Sequence, residues 1–426
     1  FQAEDGIRDS VASRGLGDVY KRQQFGGGQG VYIRDISFAL SLMGHNVDVI
    51  SGPPYPDLHK KVNLIKLPGL NLFETFSFKD RLKKFFKKKN KNLNHYYEFF
   101  SVLFGGFPEP KTFGDRVNIY LSSNDNYDLI IDNQSLSYGM IDVQRRFPFI
   151  EIIHHPITFD YKFELASSKK IKYKLSRYRW YSFLKMQKKV APLIKQIITP
   201  SKSSKEGIVN EFNCMKDSVN VINNGIDTSE FSPIDNATIN KNRLITTASS
   251  DVPLKGLDYS LKALKMLKDE YPELHLVVIG NQKKGGHTER LIRKLKLEQD
   301  VIFKSNITKK EIRDLYSTSS VAIVSSLYEG FGYPVIEAMS CEVPLIATNI
   351  SSIPELTSEF ATLIEPKNEE MIYKSIKKIF SDYDKFKQIA INGRAHIIKN
   401  FNWAKITKQY ENIILKTIEK FNDANL

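Results

Sequence analysis

The sequence predicts an α/β protein made of two doubly wound domains, each a parallel sheet covered by helices. Three observations predict it. Short apolar runs such as Val321-Ala-Ile-Val324, Leu345-Ile-Ala-Thr348 and Leu274-His-Leu-Val-Val-Ile-Gly280 have the continuity of strands buried on both faces. Helical patterns separate them, as in 31–43, where Ile33, Ile36, Leu40 and Met43 recur on one face. A chain of 426 residues is long enough for two ordinary cores.

Composition narrows the function classes. A hydrophobic content of 41% is that of a globular chain, not a disordered one. No apolar stretch reaches the roughly 18–20 residues of a membrane span. Cys214 and Cys341 fall in different predicted domains and form no metal or disulfide pattern, which fits a reducing cytoplasm. The net charge of +14 admits nucleic acid, an anionic membrane surface or phosphate-bearing substrates as partners. General lysine enrichment explains it equally well, so charge alone does not choose.

In chain order, residues 1–23 do not fit the rest of the chain. A ligand-binding glycine loop normally comes after a buried apolar strand, yet Asp18-Val-Tyr-Lys-Arg-Gln23 is polar. Residues 1–23 read as a non-native leader, with the first strand of the domain missing. Gly26-Gly-Gly-Gln-Gly30 is expected as a loop opening the helix 31–43, and Val47-Asp-Val-Ile50 as the next strand. Residues 79–91 carry Lys83, Lys84, Lys87, Lys88 and Lys89 around Phe85 and Phe86. A solvated surface helix or loop is the expectation there, with an anionic lipid surface as the alternative. The stretch 169–189, with Tyr173, Tyr178, Trp180 and Tyr181 among lysines, has the same two readings. Tyr127-Asp-Leu-Ile-Ile131 and Phe147-Pro-Phe-Ile-Glu-Ile-Ile153 are further strands. The second delivers His154-His155 to a strand end, where open α/β sheets bind ligands.

The second domain opens with Leu244-Ile-Thr-Thr and the loop Ser249-Ser-Asp-Val-Pro-Leu-Lys-Gly256. A helix at 309–316 leads to the most informative stretch. Glu329-Gly-Phe-Gly-Tyr-Pro-Val-Ile-Glu337 joins two buried strands through a loop and a short helix that Pro334 can open. Gly330 and Gly332 admit positive φ and close approach of a ligand. Amides after Gly332 are expected to face an anion such as phosphate. Glu337, expected in the first helical turn, and Glu329 in the loop can each accept hydrogen bonds from a diol. Phosphate plus diol describes a nucleotide sugar. Helices at 368–380 and 403–421 complete the count. The last carries an apolar face of Ile406, Tyr410, Ile413, Ile414 and Ile418.

Glu329 to Met339, then Val343-Pro-Leu-Ile-Ala and Ile353-Pro-Glu355, resemble the donor-site signature of the retaining glycosyltransferases of the GT-B fold, family 4 (glycosyl transferases group 1). The resemblance covers the chain from about Gly26 onward. It implies two facing Rossmann-like domains with a C-terminal helix crossing back. The implied division is a leader at 1–23, an acceptor domain at 24–235, a donor domain at 236–402 and the returning helix at 403–426. The implied reaction transfers a sugar from a UDP-, GDP- or ADP-sugar to a hydroxyl of a glycan, lipid or small molecule, with configuration retained and no metal or other cofactor.

By the same resemblance the catalytic residues are His154, Glu329 and Lys255. Glu337 holds the ribose, Gly332, Tyr333, Pro334 and Val335 line the donor, and Gly280 meets the base. Gly27, Gly28 and Gly30 lie along the diphosphate and acceptor. Three positions depart from the family. Ser249 stands where an Arg usually joins Lys255 on the diphosphate, Glu342 where Gly is usual, and Ser351-Ser352 where a glycine pair is frequent. The Ser249 departure keeps open an impaired nucleotide-sugar binder. A basic membrane-surface or nucleic-acid-binding protein is the remaining alternative, though nucleic acid is not the expected partner. The expected location is the cytoplasm, with peripheral contact at the inner face of the membrane left open.

Overall fold

The computed structural model describes residues 2–3, 27–72, 75 and 77–424. The expected leader therefore lies outside the described residues except for Gln2–Ala3. The described residues divide into two compact units, one made of those up to Ile222 and from Thr407 onward, the other of Asn223–Ile406. Each has an apolar core of its own.

The first unit has strands β1 (Gln2–Ala3), β2 (Asp48–Ser51), β3 (Asn63–Lys66), β4 (Ile130–Asn133), β5 (Phe149–Ile152), β6 (Ile197–Thr199) and β7 (Val219–Val221). They form parallel sheets of order β1-β2-β3 and β4-β5-β6-β7. Every residue of β4 and β5 is buried, the polar Asp132, Asn133 and Glu151 as well as the apolar side chains. The first helix runs Gly27–Leu42. Gly27, Gly28 and Gly30 are thus in its first turn and not in a preceding loop. A helix Leu93–Leu103, not evident from the sequence, comes after the lysine-rich helix Phe78–Lys87. The terminal helix Trp403–Asp423 buries Ile406, Thr407, Tyr410 and Ile414. Within this unit the Tyr32 hydroxyl donates to that of Tyr410 at 2.8 Å.

A buried charge cluster holds the outer part of the unit. Arg116 donates to Glu98 Oε1 and, at 3.0 Å, to Glu109 Oε2, while Glu98 Oε2 accepts from the Leu70 amide at 2.7 Å. Burial pushes the Glu109 carboxyl up to about 7, against the pull of Arg116 and with added repulsion from Glu98. A carboxylate whose folded pKa is raised binds its proton more tightly in the native state. Its contribution is complete below the unfolded value and is lost as pH rises through the folded one. Between pH 4.5 and about 7, wild-type Tm should therefore fall relative to that of Glu109→Gln. A Tm difference that is constant across this window would contradict the assignment.

The second unit has strands β8 (Asn240–Thr247), β9 (His275–Ile279), β10 (Val301–Lys304), β11 (Ser319–Val324), β12 (Leu345–Thr348) and β13 (Thr362–Ile364). All are parallel, in the order β10-β9-β8-β11-β12-β13. Chain connections run in opposite directions from β8 and β11, so the switch point lies between these two strands, where such sheets form a ligand crevice at the carboxyl ends. Residues 223–235 belong here. Ile226 and Phe231 are in this core, and the Ile226 amide donates to Phe401 O at 2.8 Å.

A helix Tyr383–Asn400 is likewise not evident from the sequence. It carries Gly393, which ordinarily weakens a helix. Here a Cβ at Gly393 would lie 3.1 Å from Phe360 Cβ and 3.3 Å from Met339 Cε, so the glycine permits close packing on the helix Tyr333–Ser340. Glu342 and Ser351 have φ of +55° and +48°, the left-handed region that explains why glycine is usual there.

Candidate functional site

In the second unit the loops after β8, β11 and β12 meet at one carboxylate. Lys255 Nζ donates to Glu329 Oε1 at 2.6 Å, and the Ser326 hydroxyl donates to the same oxygen at 2.7 Å. The Glu329 amide donates to Ser351 Oγ at 2.9 Å, and Ser352 Oγ donates to the carbonyls of Glu329 (2.9 Å) and Phe331 (2.6 Å). Glu329 is only 3% exposed. A carboxylate so withdrawn from water needs such partners. The structure thus brings Lys255 and Glu329 together at the switch point. Ser326, Ser351 and Ser352 carry no site role in the sequence-based expectation. The departure at 351–352 was the one signal that pointed to two of them.

Lys255 ends a 3-10 turn Pro253–Lys255, and Gly256 comes next with φ +62°. A Cβ at Gly256 would sit 1.9 Å from the Ser325 carbonyl oxygen. Only glycine allows this loop to lie on the end of β11. The Leu327 amide then donates to Leu254 O at 2.7 Å and joins the two loops directly.

The helix Tyr333–Ser340 starts at Gly332, with φ +107°. Two expectations need correction. Glu337, 1% exposed, lies at the start of the second turn and not in the first, because the helix begins at Tyr333, one residue before Pro334. The amides of Val335 and Ile336 close on Gly332 O at 3.0 and 3.4 Å, and Pro334 has none. An anion here would therefore meet the helix dipole and Lys255 more than a row of open amides. Gly280 succeeds β9, and its amide is used by Lys304 O at 2.8 Å. Ser249, in the loop after β8, is half-buried. Near it a second cation appears. The Lys283 amide donates to Ser250 Oγ at 3.3 Å, and Lys283 Nζ lies 3.9 Å from Asp251 Oδ2.

In the first unit His154 leaves the end of β5. Its Nε2–H donates to Asn133 Oδ1 at 2.8 Å and its amide to Gln134 Oε1 at 2.8 Å. Gln29, in the first turn of the glycine-rich helix, donates to the same Gln134 oxygen at 3.4 Å. The turn holding Gly27, Gly28 and Gly30 is thereby linked to His154. The imidazole also packs edge-on to Tyr32, with ring centroids 4.7 Å apart. His155 is buried against Asp160 at 2.6 Å and has a structural role. The loop that carries Asn133 and Gln134 is shaped by Asp132, whose Oδ2 accepts from Ser135 N, Ser135 Oγ and Leu136 N.

Burial pushes the thiols of Cys214 and Cys341 up to about 11 and about 12, which leaves neither reactive. Among the described residues, no cluster of three or more His, Cys, Asp or Glu side chains is placed to hold a metal.

Comparison with known proteins finds two family models that match the chain in succession. The model described as "Glycosyltransferase Family 4" matches residues 26–230, and that described as "Glycosyl transferases group 1" matches 229–396. The MMP alpha-(1->4)-mannosyltransferase of Mycolicibacterium hassiacum is 32% identical over 407 residues, 94% of this chain and 97% of that protein. Sucrose-phosphate synthase from Thermosynechococcus elongatus superposes with a TM-score of 0.73 at 18% identity, covering 98% of each chain. HepE of Anabaena, solved in complex with UDP-glucose, superposes with a TM-score of 0.64 at 16% identity, covering 92% of this chain and 96% of that one. The shared fold is GT-B.

Gly256→Ala should destabilise the protein by more than the ~1–2 kcal/mol of a left-handed non-glycine residue, because the clash with Ser325 is added. Gly285→Ala is the control, since Gly285 has φ +68° and nothing within 4 Å of its would-be Cβ. Equal losses in denaturant titrations of the two variants would remove the packing argument for Gly256.

Proposed function

Because the chain belongs to the glycosyl transferases of group 1, we propose that it moves a hexosyl group from a nucleoside-diphosphate sugar to a hydroxyl of a carbohydrate or lipid-linked acceptor. In this reading the anomeric configuration is retained and no metal is required. One observation carries it: a buried glutamate, paired with a half-buried lysine, lies at the switch point of a parallel sheet, beside the start of a helix.

Lysine has three N–H donors, so Lys255 can keep Glu329 and still donate to a departing diphosphate. A preorganised cation near developing negative charge lowers the barrier without reorganisation at the moment of transfer. Lys283 is a candidate for the second charge that Ser249 does not supply. Glu337 is assigned to the ribose diol, Glu329 to a sugar hydroxyl, and His154 with the glycine turn to the acceptor side.

Glu337→Ala should weaken donor binding by roughly 2–5 kcal/mol, as expected for two charge-assisted hydrogen bonds lost. Calorimetric titration with UDP-, GDP- and ADP-hexoses reads this directly, and an unchanged affinity would refute the ribose assignment. Transfer should also persist in excess EDTA; its abolition, with rescue by a divalent ion, would overturn the metal-independent reading. A second reading, a binder that does not transfer, is motivated by Ser249. Donor binding with neither hydrolysis nor transfer would decide for it.

A further inference from the structure

The first unit turns apolar side chains outward in a regular pattern. On the helix Leu93–Leu103 and its C-cap, Leu93, Tyr96, Tyr97, Phe100 and Phe104 are all exposed, Leu93 and Phe104 by 88% and 73%. Their spacing of 3, 1, 3 and 4 places them on a single stripe of the helix. The opposite face holds His95, Glu98, Phe99 and Val102, all buried. Phe99 stacks on Phe85 at 4.2 Å, and Glu98 is fixed by Arg116 and the Leu70 amide. The outward stripe is therefore not a frayed helix waiting to turn over. It is held out by a buried charge cluster on its back.

Positive charge surrounds it. Residues 79–91 contain seven lysines and Arg81 against one acidic residue, Asp80. On the helix Phe78–Lys87, Lys79, Lys83 and Lys87 share the exposed face with Phe86, which is 71% exposed. Among the described residues these three lysines make no ion pair. A second outward stripe, Ile171, Leu175 and Tyr178, lies on the helix Ile171–Trp180 among exposed Lys169, Lys170, Lys172 and Lys174. The stripes are neighbours. Phe107, three residues beyond Phe104, stacks on Trp180 with ring centroids 5.0 Å apart.

Single exposed apolar residues need no explanation, but contiguous apolar stripes ringed by lysine do. We propose that this surface seats on an anionic lipid bilayer, with the two stripes entering the headgroup region and the lysines meeting lipid phosphates. Aromatic and leucine side chains on one face with lysines beside them are the composition of a helix that lies in an interface. No described helix is long and apolar enough to cross the membrane, so the contact is peripheral. This partner goes beyond the donor-site reading and stands or falls separately from it.

The test is co-sedimentation of the full chain with phosphatidylcholine vesicles, with and without about a third phosphatidylglycerol. Binding should require the anionic lipid and weaken with salt. Lys83→Gln/Lys87→Gln/Lys89→Gln should lower the partition coefficient by about two orders of magnitude. Phe100→Ser/Phe104→Ser should lower it by at least about tenfold, with Tm unchanged because both rings are exposed. Donor affinity should be the same in all three proteins. Absence of vesicle binding, or binding unaffected by the phenylalanine pair, overturns the proposal. So does a dimer in sedimentation velocity that this pair dissolves, since the face would then belong to a second copy. Salt-sensitive RNA binding without vesicle binding overturns it in favour of a polyanion.

Discussion

A carboxylate that has left water must be paired, and in the second unit Glu329 imposes that requirement on three loops at once. Lys255 and Ser326 satisfy its side chain, while Ser351 and Ser352 satisfy its backbone. Breaking a buried pair by removing one partner is far more costly than the pair is stabilising. The loops are therefore pinned by what would happen without one another. Gly256 allows the Lys255 loop to reach its place, and Gly332 turns the chain from Glu329 into the next helix.

The first unit solves a related problem with different groups. His154 is oriented through Asn133 and Gln134, and those residues sit on a loop that Asp132 draws together. Asp132 is wholly buried and lies beside Glu151 in the sheet register, so burial raises its pKa despite the hydrogen bonds from Ser135. The orientation of His154 thus depends on a buried carboxyl group that does not touch it.

Much of this was legible in the sequence. Runs such as Val321-Ala-Ile-Val324 are buried at every position and announce a covered parallel strand. The unusual Glu342 and Ser351 both fall at positive φ, so the places where glycine was missed are real features of the backbone. Other features were not legible, for physical reasons. The helix Tyr383–Asn400 was hidden by Gly393, whose purpose is a contact with residues far away in sequence. The helix Leu93–Leu103 exposes an apolar stripe and buries a face that mixes His95 and Glu98 with Phe99 and Val102, so its pattern does not mark a core-facing side. Lys283 is an ordinary surface lysine until the sheet order brings its loop beside Ser250. The start of the helix at Tyr333, one residue before Pro334, also put Glu337 just past the first turn, which no composition argument could fix.

Tyr32 and Tyr410 are 378 positions apart, yet each is buried within the same unit and their hydroxyls are joined. During synthesis the first unit's residues up to Ile222 emerge long before Tyr410 and Ile414 exist. Until the last turns of the terminal helix leave the ribosome, that unit carries an uncovered apolar seat. Contacts this distant in sequence form late, and apolar surface exposed meanwhile invites misassembly. A chain cut short by twenty residues would keep the loops around Glu329, but it would leave the first unit without the helix that covers its apolar seat.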